Sequence, residues 1–125
     1  MIEIQCVTVD CADPYKLASW WGEALGLPFG EGDKPGDDEV MLETGRYPFL
    51  LFIRVPEGKS VKNRLHIDVS ATAGSTREQE VERLLRLGAT LYEDRRDDEG
   101  KGWVTMLDPE GNEFCVCRGQ AERVG

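Results

Sequence analysis

A single histidine, His66, and four cysteines, Cys6, Cys11, Cys115 and Cys117, are the residues of this chain with the plainest capacity for chemistry. An imidazole titrates close to neutrality, so it serves as a general acid or base, as a ligand-contacting group, or as a hydrogen-bonded part of the structure. His66 lies in an alternating run, residues 64–70, that places Arg64, His66 and Asp68 on one face of a half-buried strand and Leu65, Ile67 and Val69 on the other. It is open to two roles: a catalytic or ligand-contacting imidazole, or one simply bonded to its charged neighbours. Glu113 and Cys115 share a strand face, which offers a carboxylate beside a thiol, or else a solvated charge beside a packing residue. Cys117 lies on that face too, but a one-residue gap along a strand is poor chelate geometry, so it reads as packing. Trp103, on a central strand of the second half, suits either the core or stacking on a flat ligand.

Rival chemistries lack their residues. One histidine excludes a two-histidine, one-carboxylate iron site, and there is no glycine-rich phosphate loop, Gly-x-Ser-x-Gly elbow or Cys-x-x-Cys pair. A formal charge of −9 argues against nucleic acid and anionic membrane as partners and leaves small molecules or protein partners. The start of the chain has no basic segment followed by an apolar one, and no apolar run approaches a membrane span. A cytoplasmic protein with reduced thiols is therefore expected.

The elements that must position these residues follow from periodicity. Residues 2–10 alternate as a strand, and Asp13-Pro14 suits a helix N-cap with proline at the first helical position. Leu17, Trp20, Trp21, Ala24 and Leu25 then recur at helical spacing before Gly26. Residues 27–29, 39–44 and 49–55 form two or three strands. The order then starts again: a strand at 64–70, a helix capped at Ser75 with Val81, Leu84, Leu85 and Leu87 as its apolar stripe, and strands at 89–94, 103–107 and 113–118. At 125 residues with 40% hydrophobic content, one α+β domain is expected, built from two βαβββ modules, 1–58 and 59–125. The mixed-charge run 93–99 reads as a solvated hairpin tip.

Three stretches of this duplicated pattern resemble the glyoxalase, bleomycin-resistance and extradiol dioxygenase family, the vicinal oxygen chelate superfamily, and especially a glyoxalase-like branch common in actinobacteria. They are Asp10-Cys11-Ala12-Asp13-Pro14 with Trp20-Trp21 and Leu25-Gly26-Leu27; Val55 to Lys59 with Lys62 to Val69; and Asp108 to Val116. The resemblance covers nearly the whole chain. It implies cupped mixed sheets around a ligand pocket, a homodimer and, in many relatives, a divalent metal held by one residue from each of four strands. In this chain those positions fall at Cys6, at Ile53 or Phe52, at His66 and at Cys115. Hard octahedral metals take carboxylates and imidazoles, so only His66 matches, and neither a metal nor a cofactor is expected. On the same resemblance Cys6, His66 and Cys115 point into one cavity, which leaves open a soft zinc site alongside their role as small pocket-wall residues.

The expected function is binding of a small hydrophobic or aromatic molecule, contacted by Cys6, Thr8, Phe52, His66, Trp103, Glu113 and Cys115. The alternative is a lyase or isomerase of the glyoxalase type, with His66 as a catalytic base or with a cysteine and histidine zinc site. An interaction module comes third.

Overall fold

Strand β1, Cys6–Cys11, carries the alternating Cys-Val-Thr-Val-Asp-Cys sequence and runs parallel to β3, Phe49–Arg54, with Cys6 opposite Phe49 and Val9 opposite Phe52. Between them come helix α1, Pro14–Leu25, and strand β2, Glu39–Leu42, which pairs antiparallel with β3. The sheet order is β1-β3-β2 in this computed structural model, which describes residues 1–123. The chain divides into two compact units, Met1–Lys59 and Ser60–Gly125.

In the first unit Asp13 caps α1 by accepting a hydrogen bond from the Lys16 N–H at 3.2 Å, and Pro14 starts the helix where a missing donor costs nothing. Gly26 closes it in the left-handed conformation, φ 70°. The buried stripe of α1, including Leu17 and Ala18, packs on β2 and β3, and the core beneath it holds Val40, Leu42 and Phe52. Strand pairing begins at Cys6 rather than at residue 2, because β3 offers its first partner at Phe49 and the exposed Ile2 and Ile4 have no strand beside them. The apolar segment at 27–29 contributes a single bridge, Phe29 to Leu42, instead of a strand. Pro28 has no N–H to donate, which limits that ladder, and the glycine-rich loop follows at once.

The second unit repeats the plan in full. It consists of β4 (Ile67–Ser70), α2 (Arg77–Arg86), β5 (Thr90–Asp94), β6 (Trp103–Leu107), β7 (Glu113–Cys117) and a short α3 (Gln120–Arg123). The sheet order is β4-β7-β6-β5, with β4 parallel to β7 and the rest antiparallel; the register of β5 on β6 shifts between Leu91 and Glu93. Val104, Met106, Phe114 and Val116 are buried on one face, and α2 packs on β7 with Val81 and Leu84 inward. The strand expected at 64–70 starts at Ile67, so His66 precedes it, and Leu65 is 85% exposed rather than inward-facing.

Helix α2 is capped one residue later than Ser75. The Thr76 hydroxyl accepts from the Gln79 N–H at 3.1 Å and the Gln79 side chain accepts from the Thr76 N–H at 3.0 Å, a reciprocal capping box. The segment holds two such patterns in adjacent registers, Ser75 with Glu78 and Thr76 with Gln79. The second prevails, with Glu78 engaged by Arg77 at 2.7 Å and the Ser75 hydroxyl donating to Glu80 at 2.7 Å. Arg77, 3% exposed, also donates to the Gly102 carbonyl at 3.0 Å, which ties the helix start to the loop that closes the β5–β6 hairpin. Among the described residues no helix is long and apolar enough to cross a membrane.

Candidate functional site

The second sheet has two unlike faces. Alternation turns Phe114 and Val116 toward the α2 side, so Glu113, Cys115 and Cys117 look the other way. Register brings Asp68 of β4 and Thr105 of β6 level with Cys115, and Trp103 and Ser70 level with Cys117. The face opposite α2 therefore carries two acids, two thiols, two hydroxyls and an indole.

His66 sits at the entry to β4 and turns toward that face. Its Nδ1 lies 2.8 Å from Asp68 Oδ1, and the Cys115 sulfur is 3.9 Å from the same Nδ1. One donor atom from each of His66, Asp68 and Cys115 lies within 4.8 Å of the other two. Thr105 Oγ1 is 3.5 Å from the Cys115 sulfur, and both residues are buried. Burial pushes the Cys115 thiol above its ordinary range, the Thr105 hydrogen bond partly offsets this, and the Asp68 charge adds to it. Burial likewise raises the Cys117 thiol, with the Asp68 charge in the same direction. Both sulfurs in this environment are thiols rather than reactive thiolates. All four cysteines are free.

The expected contact residues divide sharply. His66 and Cys115 are brought together, and Trp103, 43% exposed, stands on the same sheet face. Glu113 belongs to that face but is not a solvated rim charge. It is buried, and its Oε1 accepts the Asn63 backbone N–H at 3.0 Å, fastening the segment before β4 to the start of β7. In the first unit Cys6, half-buried, and Thr8, exposed, share a face with the half-buried Leu51 and Ile53. Phe52 is a correction. It is 1% exposed, pairs with Val9 and Val40, and fills the core under α1, because the two-residue period that turns Cys6 and Thr8 outward turns Phe52 inward. Of the first-unit positions for a divalent metal, Ile53 thus occupies the outward register and is a hydrocarbon. Cys6, Ile53, His66 and Cys115 do not suit a hard octahedral ion.

Asp68 and Thr105 join the cluster without having been counted among the expected contacts. Asp68 was visible as a strand neighbour of His66, two residues on. Thr105 could have been found by carrying the β6–β7 turn into register, which sets it opposite Cys115. Elsewhere, a shallow recess of about 350 Å³ lined by Asp13, Tyr15, Lys16, Ser19, Pro35 and Gly36 lies at the start of α1, with no histidine or thiol in its wall.

Comparison with known proteins places these observations in a lineage. The model of a family described as a glyoxalase-like domain matches residues 6–117. No curated protein matches the chain. Among solved structures, a genomically encoded fosfomycin resistance protein from Listeria monocytogenes, solved with manganese(II) and a dihydroxypropylphosphonic acid, superposes with a TM-score of 0.72 at 17% identity, over 98% of this chain and 95% of its own. A glyoxalase/bleomycin resistance protein/dioxygenase family enzyme from Burkholderia phytofirmans gives 0.70 at 18% identity, over 92% and 97%. A lactoylglutathione lyase from Agrobacterium tumefaciens gives 0.65 at 18% identity, over 97% and 96%. At these identities the likeness is one of fold.

Proposed function

Because the chain belongs to the glyoxalase-like domain family, a fold that hosts binding and catalysis alike, we propose that it binds a small hydrophobic or aromatic molecule on the face of the second sheet opposite α2. The observation that carries this is Trp103, 43% exposed on the same sheet face as the His66–Asp68 pair and the buried Cys115 and Thr105. A large aromatic surface left in water next to a few convergent polar groups is the common make-up of a small-molecule site. The indole supplies stacking area, and the imidazole fixes the ligand's polar end.

The chain's own fluorescence tests this. Trp20 and Trp21 are 9% and 3% exposed, so Trp103 is the tryptophan that a ligand reaches. Screening flat aromatic compounds should find ones that quench part of the emission, and Trp103→Phe should abolish that quenching while the fold persists. Quenching that survives in Trp103→Phe would place the ligand elsewhere.

The His66–Asp68 pair favours a second reading, a lyase or isomerase, as the Agrobacterium neighbour's name suggests for its own reaction. An Nδ1–H donated to Asp68 leaves Nε2 as the basic nitrogen and holds the ring in one orientation. In such an enzyme Nε2 of His66 would take a proton from carbon beside a substrate carbonyl and return it to the neighbouring atom, with Asp68 stabilising the imidazolium.

A further inference from the structure

The metal arrangement implied for this fold is lost by chemistry at Ile53 and Cys6, yet three donors gather within the second unit by themselves. We propose that His66, Asp68 and Cys115 form a three-ligand site for a thiophilic divalent metal, zinc above all, with an open fourth position. This differs in membership and in metal class from the hard, two-module site: Asp68 enters as a ligand, and no residue of the first unit takes part.

Four observations support it. The donor set of nitrogen, carboxylate oxygen and sulfur is one that zinc accepts and that magnesium or calcium does not favour. Zinc bonds of about 2.0–2.2 Å to nitrogen or oxygen and about 2.3 Å to sulfur require tetrahedral neighbours spaced roughly 3.3–3.6 Å apart. His66 Nδ1 lies 2.8 Å from Asp68 Oδ1 and 3.9 Å from Cys115 Sγ, distances that straddle that spacing, and all three donor atoms lie within 4.8 Å of one another, so side-chain shifts on the order of an ångström bring them to one ion. The two ligand strands are hydrogen-bonded neighbours with Asp68 directly opposite Cys115, which makes two of the three ligands a rigid pair. Thr105, buried behind the sulfur at 3.5 Å, is placed to donate its hydroxyl hydrogen to the thiolate as an outer-shell partner.

The proton inventory is simple. Without metal, the Nδ1 proton is shared with Asp68 and Cys115 is a thiol. Metal binding releases the thiol proton to solvent and moves the imidazole proton from Nδ1 to Nε2, so the metal replaces the hydrogen that joins His66 to Asp68. Metal occupancy and the use of Nε2 as a base are therefore mutually exclusive in this site.

The test uses the full chain purified without a histidine tag, with zinc or cobalt(II) alone as the probe, so its outcome is independent of any organic ligand. One metal per chain is expected, with a near-ultraviolet thiolate-to-cobalt charge-transfer band. Cys115→Ser should remove the band, and Asp68→Asn and His66→Gln should each weaken zinc binding by at least about a hundredfold, the upper end of what losing an outer-shell partner costs. Cys6→Ser and Cys117→Ser should bind as the parent does, and circular dichroism on every variant separates lost ligands from lost fold. No charge-transfer band in the parent, full affinity in Asp68→Asn, or lost affinity in Cys6→Ser would each overturn the proposal.

Discussion

Glu113 shows how a residue chosen for chemistry is taken up by structure. Its buried carboxylate accepts the Asn63 N–H, while the Asn63 side chain donates to Asn112 at 3.0 Å, so the segment leading to His66 is held from two sides. Replacing Glu113 with Ala leaves a backbone donor without its acceptor and should cost about 1–3 kcal/mol, read by urea denaturation. A loss under about 0.5 kcal/mol, the usual scale of a surface change, would return Glu113 to the role of a solvated charge. The His66–Asp68 neighbourhood was legible in the sequence because both residues lie on one short alternating run. Their meeting with Cys115 was not, since it depends on the parallel pairing of β4 with β7 across 49 positions, and nothing local to either strand encodes that register. Phe52 failed for the converse reason: alternation fixes which residues share a face, but which of two apolar faces is the core depends on where α1 packs.

At the level of elements, helix ends carry the clearest test. If Thr76 is the cap of α2, Thr76→Ala should destabilise by about 1 kcal/mol. Ser75→Ala removes only the contact with Glu80 and should cost less, by thermal or urea unfolding. The reverse ranking would shift the cap back to Ser75. Helices α1 and α2 and nearly every strand could be read from periodicity, because amphipathic period and stop signals are local properties, whereas the four-residue α3 is too short to show a period. The errors gather where pairing decides extent. The late starts of β1 and β4 and the missing strand at 27–29 each reflect what the neighbouring strand offers, not what the segment itself prefers. The burial of Arg77 was also invisible: an arginine at the first position of a helix looks solvated until a hairpin loop supplies carbonyls to receive it.

For the whole molecule the governing quantity is charge. With 24 acidic against 15 basic side chains, the folded chain carries self-repulsion that cations placed beside carboxylates relieve locally. Arg96 does so at Asp94, where its side-chain hydrogen bond, followed by its backbone N–H, lowers the carboxyl from 3.8 to about 2. A depressed carboxyl stabilises the folded state fully above its unfolded value, and that contribution is lost as pH falls through about 2. The pair is solvent-exposed and screened, so Asp94→Asn should cost no more than about 0.5 kcal/mol at neutral pH. The gap should close as the solution is acidified toward pH 2. Equal destabilisation at both ends of the titration would mean that shape, and not charge, is what Asp94 supplies.

The register shift in β5 has a consequence for solubility. β5 is the last strand of its sheet and is exposed along its whole length, Leu91 and Tyr92 included. A straight, apolar edge of that kind is a template on which a strand from another molecule can form, the first step toward aggregation. The irregularity between Leu91 and Glu93 bends the edge, and Glu93 and Asp94 put like charges where a second copy would have to pair. The same short strand that frames the hairpin beside Trp103 thus also keeps neighbouring molecules from zipping onto one another.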